Sequence, residues 1–199
     1  MKKVFALVGI GSLLFLAGCT NVNAAATLDG KTISVQQVQG AVNQILDERK
    51  GFDTTQMNLP TGEALNRNEL TFFVVGALMD DIAKKLGITV TEREVKSAVD
   101  GVIASVGGKA NLPMSLVQAN IPSSSLNDYF RMYLISKKVQ DALTASGVAQ
   151  SDINAAFGKL VGESATRVHL VVNPRYGKWD STSGNIVAAD FAAGAVIKK

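Results

Sequence analysis

Few side chains in this 199-residue chain have the type and spacing to do chemistry. There is one cysteine, Cys19, and one histidine, His169. An internal disulfide needs two thiols, and a structural zinc site draws on four Cys or His ligands, so neither can be built. His169 alternates with Val168 and Leu170 in a stretch read as a strand, and no Ser or Cys nucleophile is paired with it by pattern. A structural or surface histidine is the reading. Glu92 with Glu94, and Asp80 with Asp81, are candidate acid pairs. Helix capping explains the first, and i,i+4 ion pairs to Lys84 and Lys85 explain the second. Gly9 and Gly11 lie inside an apolar N-terminal run, and Gly108-Lys109 lacks the upstream glycine and following Ser/Thr of a phosphate loop. The residues therefore predict no catalytic group, no cofactor and no metal, and what remains is the chemistry of one thiol.

The surroundings of that thiol say what it is for. Lys2 and Lys3 form a positive head, and residues 4–17 are an apolar run too short to span a bilayer as a mature helix. The run ends Leu16-Ala17-Gly18-Cys19. This resembles the bacterial lipobox, which implies a diacylglyceryl group on the Cys19 sulfur and cleavage just before it. Each buried methylene of an acyl chain contributes about 0.8 kcal/mol, so two chains hold where one is marginal. The competing reading is an ordinary secretory signal, with Val22-Asn23-Ala24 as a poorer cleavage match. Residues 1–18 are thus expected to be a lipoprotein signal, 19–25 a lipid-anchored tether of at most about 20 Å, 26–187 one domain and 188–199 a loose tail. Without Lys2 and Lys3 the formal charge falls from +3 to +1. With no cluster of Lys and Arg, nucleic acid is excluded as a partner.

The elements that follow are mostly helical. Asp29-Gly30 predicts a tight hairpin, because both central residues need positive φ. Ser34 with Gln37 predicts a capping box, and Val35, Val38, Val42, Ile45 and Leu46 share one helical face. A polar loop over 52–62 precedes a long helix over 63–86, whose centre, LTFFVVGALM, is apolar all round and so belongs in a core. Thr91 and Glu94 cap a third helix with Val95, Val99, Val102, Ile103 and Val106 on its buried side. A short helix is expected over 113–120, a longer one ending near 145 and another over 151–160. The chain then turns β-rich, with a strand over 167–172 and a hairpin pairing 177–180 with 185–187. Arg175, Tyr176 and Trp179 are read as its packed corner.

Four motifs carry a family resemblance. AAATLDGKTISVQQV is similar to the entry segment of SurA- and PrsA-type extracytoplasmic chaperones, KKLGITVTEREVKSAV to their second signature, and GVAQSDINAAF to the helix that leads into a parvulin prolyl-isomerase domain. VNPRYGKWD resembles the strand and turn near such domains. The resemblance implies a mainly α, SurA-N-like chaperone domain with a small β element formed by the N-terminal hairpin and the C-terminal strands. The parvulin segment is missing, since 165–187 is far too short, and parvulin sites use a pair of histidines where this chain has His169 alone. The implied function is therefore a lipid-anchored, extracytoplasmic, non-enzymatic binder of unfolded or extended secreted polypeptides, on the outer face of the plasma membrane of a Gram-positive-type envelope. Phe72, Phe73, Met79, Tyr129, Phe130, Met132 and Tyr133 suit a groove that takes many apolar segments, although a helical core explains most of them. The alternatives are a structural or adaptor lipoprotein with one specific partner, or an enzyme with a novel site.

Overall fold

The computed structural model describes residues 23–189; Cys19, the signal and almost all of the expected tail lie outside them. The domain is mainly α. Its elements are β1 (Ala24–Leu28), β2 (Lys31–Ser34), α1 (Val35–Arg49), α2 (Gly62–Leu86), α3 (Glu92–Ser105), α4 (Leu112–Ala119), α5 (Leu126–Ala145), α6 (Ile153–Arg167), β3 (Val171–Val172), β4 (Lys178–Asp180) and β5 (Asn185–Val187). Asp29 (φ 45°) and Gly30 (φ 78°) form the left-handed two-residue turn that the Asp-Gly pair favours. Ser34 caps α1 by accepting from the Gln37 amide at 3.0 Å. Thr91 and Glu94 close a full capping box at the start of α3. Gly87, in the left-handed conformation, ends α2.

The long helix α2 is the axis of the fold. Leu65, Leu70, Val74, Leu78, Met79 and Ile82 are at most 2% exposed, and α1, α5, α6, the first hairpin and β5 all pack on this helix. Burial on several sides is what a helix without a polar stripe demands. Around it, Val38, Val42 and Ile45 from α1, Ile135 and Val139 from α5, and Val161 and Ala165 from α6 complete one core. Thr71 on α2 accepts from the Ile186 amide at 3.1 Å, which fastens β5 to the helix.

Two small sheets flank this core. One has the order β2-β1-β3, and the other is the β4-β5 hairpin. The first joins the two ends of the domain, since Thr27 pairs with Val171 and Ala26 with Val172. Asn173 donates from its amide to the Ala25 carbonyl and from its side chain to the Ala24 carbonyl, both at 2.9 Å.

Three expectations need correction. The strand expected over 167–172 is shorter, because α6 continues to Arg167 and the chain then turns through His169 (φ 49°) before extending at Val171. β-Branched composition pointed to a strand, but Val161 and Ala165 continue the buried helical face and hold the last turns. The folded domain also begins before residue 26. Ala24 and Ala25 belong to β1, and Ala25 is wholly buried. Finally, Asp80 and Asp81 make their ion pairs with Arg131 on α5 and Arg167 on α6, not with Lys84 and Lys85. A guanidinium fork held against the helix outcompetes a flexible, solvated lysine.

Candidate functional site

The helix period divides α2 between core and cleft. Phe72, Phe73, Gly76, Ala77, Asp80, Asp81 and Lys84 line an opening between α2, α5 and the first hairpin. The small residues Gly76 and Ala77 form a depression there between Phe73 and Asp80. Asp128, Arg131, Met132 and Ile135 face it from α5, at spacings of three and four that belong to one helical stripe. Leu28, Lys31, Thr32 and Ile33 of the first hairpin close the third side. The result is an open cleft of about 660 Å³, within the size range of ligand-binding pockets. Its floor is apolar, with Phe72 and Phe73 meeting edge to face at 5.5 Å between ring centroids.

The rim is charged but largely self-paired. Arg131 reaches Asp80 at 3.2 Å across the α2–α5 seam and donates to the Val90 carbonyl at 3.3 Å. Ser164 donates to Asp81 at 2.7 Å, and Arg167 pairs with the same carboxylate. Burial pushes the Asp81 carboxyl up, but the bonds from Ser164 and Arg167, with the Arg167 and Lys85 charges, outweigh it and hold the group below its ordinary range. Among the described residues, Asp29 and Asp128 at the rim, and Lys31 and Lys84 against them, have no ion-pair partner. The cleft therefore has no strong net sign.

The sequence-derived contact residues divide between places. Phe72, Phe73 and Met132 line the cleft. Met79 does not: it is fully buried in the core, accepting a weak hydrogen bond from Ser136 at 3.6 Å. Tyr129, Phe130 and Tyr133 form an edge-to-face chain, with centroids 5.5 and 6.4 Å apart, on the side of α5 turned from the cleft. Tyr133 is 52% exposed there. Ile33, Ala77, Arg131 and Ile135 were not singled out by sequence reasoning. The interruption of an apolar run by Gly76-Ala77 was the available signal. His169 is exposed in its turn, and Glu92 and Glu94 serve the start of α3. Glu94 is held down to about 2 by hydrogen bonds from Lys138 and Thr91. No group of three or more His, Cys, Asp or Glu residues is placed to hold a metal among the described residues.

One buried titratable pair lies outside the cleft. Arg49, at the end of α1, donates to the Pro60 carbonyl at 2.9 Å and to Asn120 at the end of α4. Glu69 of α2 is 3% exposed, and its Oε2, like Arg49 Nε, has no partner among the described residues. Burial raises the Glu69 carboxyl from 4.5 to about 7, against the pull of Arg49. The same burial lowers the Arg49 guanidinium, which Glu69 partly counters.

The domain thus keeps open to solvent a cleft with aromatic and aliphatic side chains on its floor and a charged, largely self-paired rim. Residues 3–108 match the family described as the SurA-like N-terminal domain, just over half of the chain, and the protein belongs to that family. The matched part carries β1, β2 and α1 to α3, and hence two walls of the cleft; α5 lies beyond it. SurA-like N-terminal domains are chaperone-type, extracytoplasmic modules that bind polypeptide. No curated protein and no solved structure matches the chain. Among the described residues no helix is long and apolar enough to cross a membrane.

Proposed function

We propose that this protein is a lipid-anchored, extracytoplasmic holder of unfolded or extended secreted polypeptides, working without nucleotide and without isomerase chemistry. The cleft between the first hairpin, α2 and α5 carries the reading. Its apolar floor offers burial to a segment that would otherwise aggregate, and its internally paired rim discriminates little between clients. Burial at about 25 cal/mol per Å², offset by the cost of ordering the client, gives micromolar or weaker affinity with little salt dependence. Diacylglyceryl on Cys19 would keep this cleft where chains emerge. Because β1 starts at Ala24, only residues 20–23 separate the domain from the anchor, about 15 Å at full extension.

Gly76 provides the test. A Cβ at this position meets nothing within 4 Å, so the side chain of Gly76→Leu leaves the helix into open space on the cleft side, and the substitution favours the helix by roughly 0.5–1 kcal/mol. The wild-type protein is expected to suppress aggregation of an unrelated denatured protein near stoichiometry. Gly76→Leu should lose that activity while its unfolding midpoint does not fall. Equal suppression by both proteins would remove the cleft from the function. If neither suppresses, and the protein captures one folded envelope partner tightly, the adaptor reading replaces this one.

A further inference from the structure

Besides its charged rim, the cleft has a polar feature that a merely greasy groove would lack, the free edge of β2. Leu28 and Lys31 flank the two-residue turn, so they are the hydrogen-bonded pair of the hairpin, and Thr27–Thr32 is the next, non-bonded pair. The backbone groups of a non-bonded pair point away from the partner strand. On β1 this outward side is taken, since Ala25 and Asp29 bond to Asn173 and Val168 and Thr27 pairs with Val171. On β2 the corresponding groups are the amide and carbonyl of Thr32. Among the described residues no third strand pairs with β2, and no turn, loop or side-chain hydrogen bond reaches Thr32. Thr32 lines the cleft together with Lys31 and Ile33, its neighbours on the opposite face, so the cleft runs past this strand edge.

We infer that the cleft takes its polypeptide as an added strand on β2, with the segment's backbone exchanging two hydrogen bonds with Thr32. This rests on the cleft being the place where polypeptide is held, and it fixes what is recognised. The client residue opposite Thr32 shares that residue's outer face and is free in type, provided it keeps its N–H. The residues before and after it lie opposite Lys31 and Ile33, on the face that sets Ile33 into the core against which Phe73, Ala77 and Met132 pack, and so are expected to be apolar. The occupant is an extended apolar–any–apolar segment without proline at the centre. Charge complementarity points the same way. Asp80 and Asp81 are already paired with Arg131 and Arg167, and Asp29 and Asp128 balance Lys31 and Lys84, so the cleft fits a segment with no net charge. Main-chain bonds would supply affinity common to all sequences, and the two inward side chains would supply the preference.

The probe is a fluorescein-labelled Gly-Ser-Val-Thr-Val-Ser-Gly peptide, with two derivatives N-methylated at the central Thr or at the preceding Val, titrated by anisotropy into the full chain. Methylation at the central Thr is expected to weaken binding about tenfold or more, because a backbone bond is lost and the Thr32 carbonyl is left facing a methyl group. Methylation at Val, whose N–H points away from β2, should change it less than threefold. Thr32→Pro removes the outward amide and should weaken the parent peptide by a similar tenfold. If the proline variant fails to fold, the pair of methylated peptides decides. Parent binding that Gly76→Leu abolishes but that responds equally to both methylations overturns strand addition and leaves the cleft reading standing. No binding of the parent peptide overturns both.

Discussion

Glu69 offers a test in which the direction of the effect runs against the usual expectation for a charged pair. The residue is buried in α2 with one carboxylate oxygen unpartnered, and burial lifts its carboxyl to about 7 from 4.5. A raised acid is protonated more readily folded than unfolded. The stability it contributes is therefore complete below about pH 4.5 and is lost as pH rises through 7. At 1.36 kcal/mol per pH unit, a rise of two and a half units corresponds to about 3 kcal/mol. Glu69→Gln keeps the neutral shape at every pH. It should match the wild type near pH 4.5 and exceed it progressively, reaching about 3 kcal/mol above pH 7.5, or a urea midpoint higher by roughly 1 M or more. The assay is urea unfolding of both proteins from pH 4.5 to 8.5, taken as a difference so that the other acids cancel. If Glu69→Gln is less stable than the wild type at pH 8, the attraction of Arg49 outweighs burial and the carboxylate is ionised in the fold. Arg49 must then be counted as a true ion-pair partner.

Two further outcomes follow from other parts of the chain. Cys19→Ala should release the protein from the membrane or leave it unprocessed, and mass spectrometry of the mature wild-type N-terminus should find a diacylglyceryl-modified Cys19; an unmodified cysteine there refutes the anchor. Gly177→Ala should destabilise the domain by about 2 kcal/mol, measured by thermal unfolding, because its φ of 128° is strained for any other residue and a Cβ would land on the Val187 carbonyl; an unchanged melting temperature would mean that the β4-β5 hairpin contributes little to the fold.

The legible part of this protein was the part set by local chemistry. The turn at Asp29-Gly30, the caps at Ser34 and Thr91 and the stop at Gly87 each depend on residues within a few positions, and each reads directly from residue type. The extent of α6 did not, because the stretch near Arg167 is β-rich in composition while Val161 and Ala165 are held by helical burial against α2, a tertiary effect. The partners of Asp80 and Asp81 were missed for the same reason: their arginines lie 51 and 86 residues away. For the cleft, residue type identified aromatic and flexible side chains, but only packing separates Phe73 from Met79, six positions apart on one apolar helix. Tyr129, Phe130 and Tyr133 were grouped with Met132 by composition, and the helical turn puts them on another side of α5.

The β2-β1-β3 sheet sets a schedule for the protein's own biogenesis. Thr27 finds its β3 partner at Val171, 144 residues later (171 − 27). At synthesis rates of 5–20 residues per second, that separation is roughly 7 to 30 s. Until then β1 must wait with one side of its backbone open, paired only with β2. A chain that stalls or is cut before Val171 never closes this seam and presents two bare strand edges to envelope proteases. Closure of β1 by β3 thus works as a completeness check, coupling the stability of the first hairpin to the arrival of the last part of the domain.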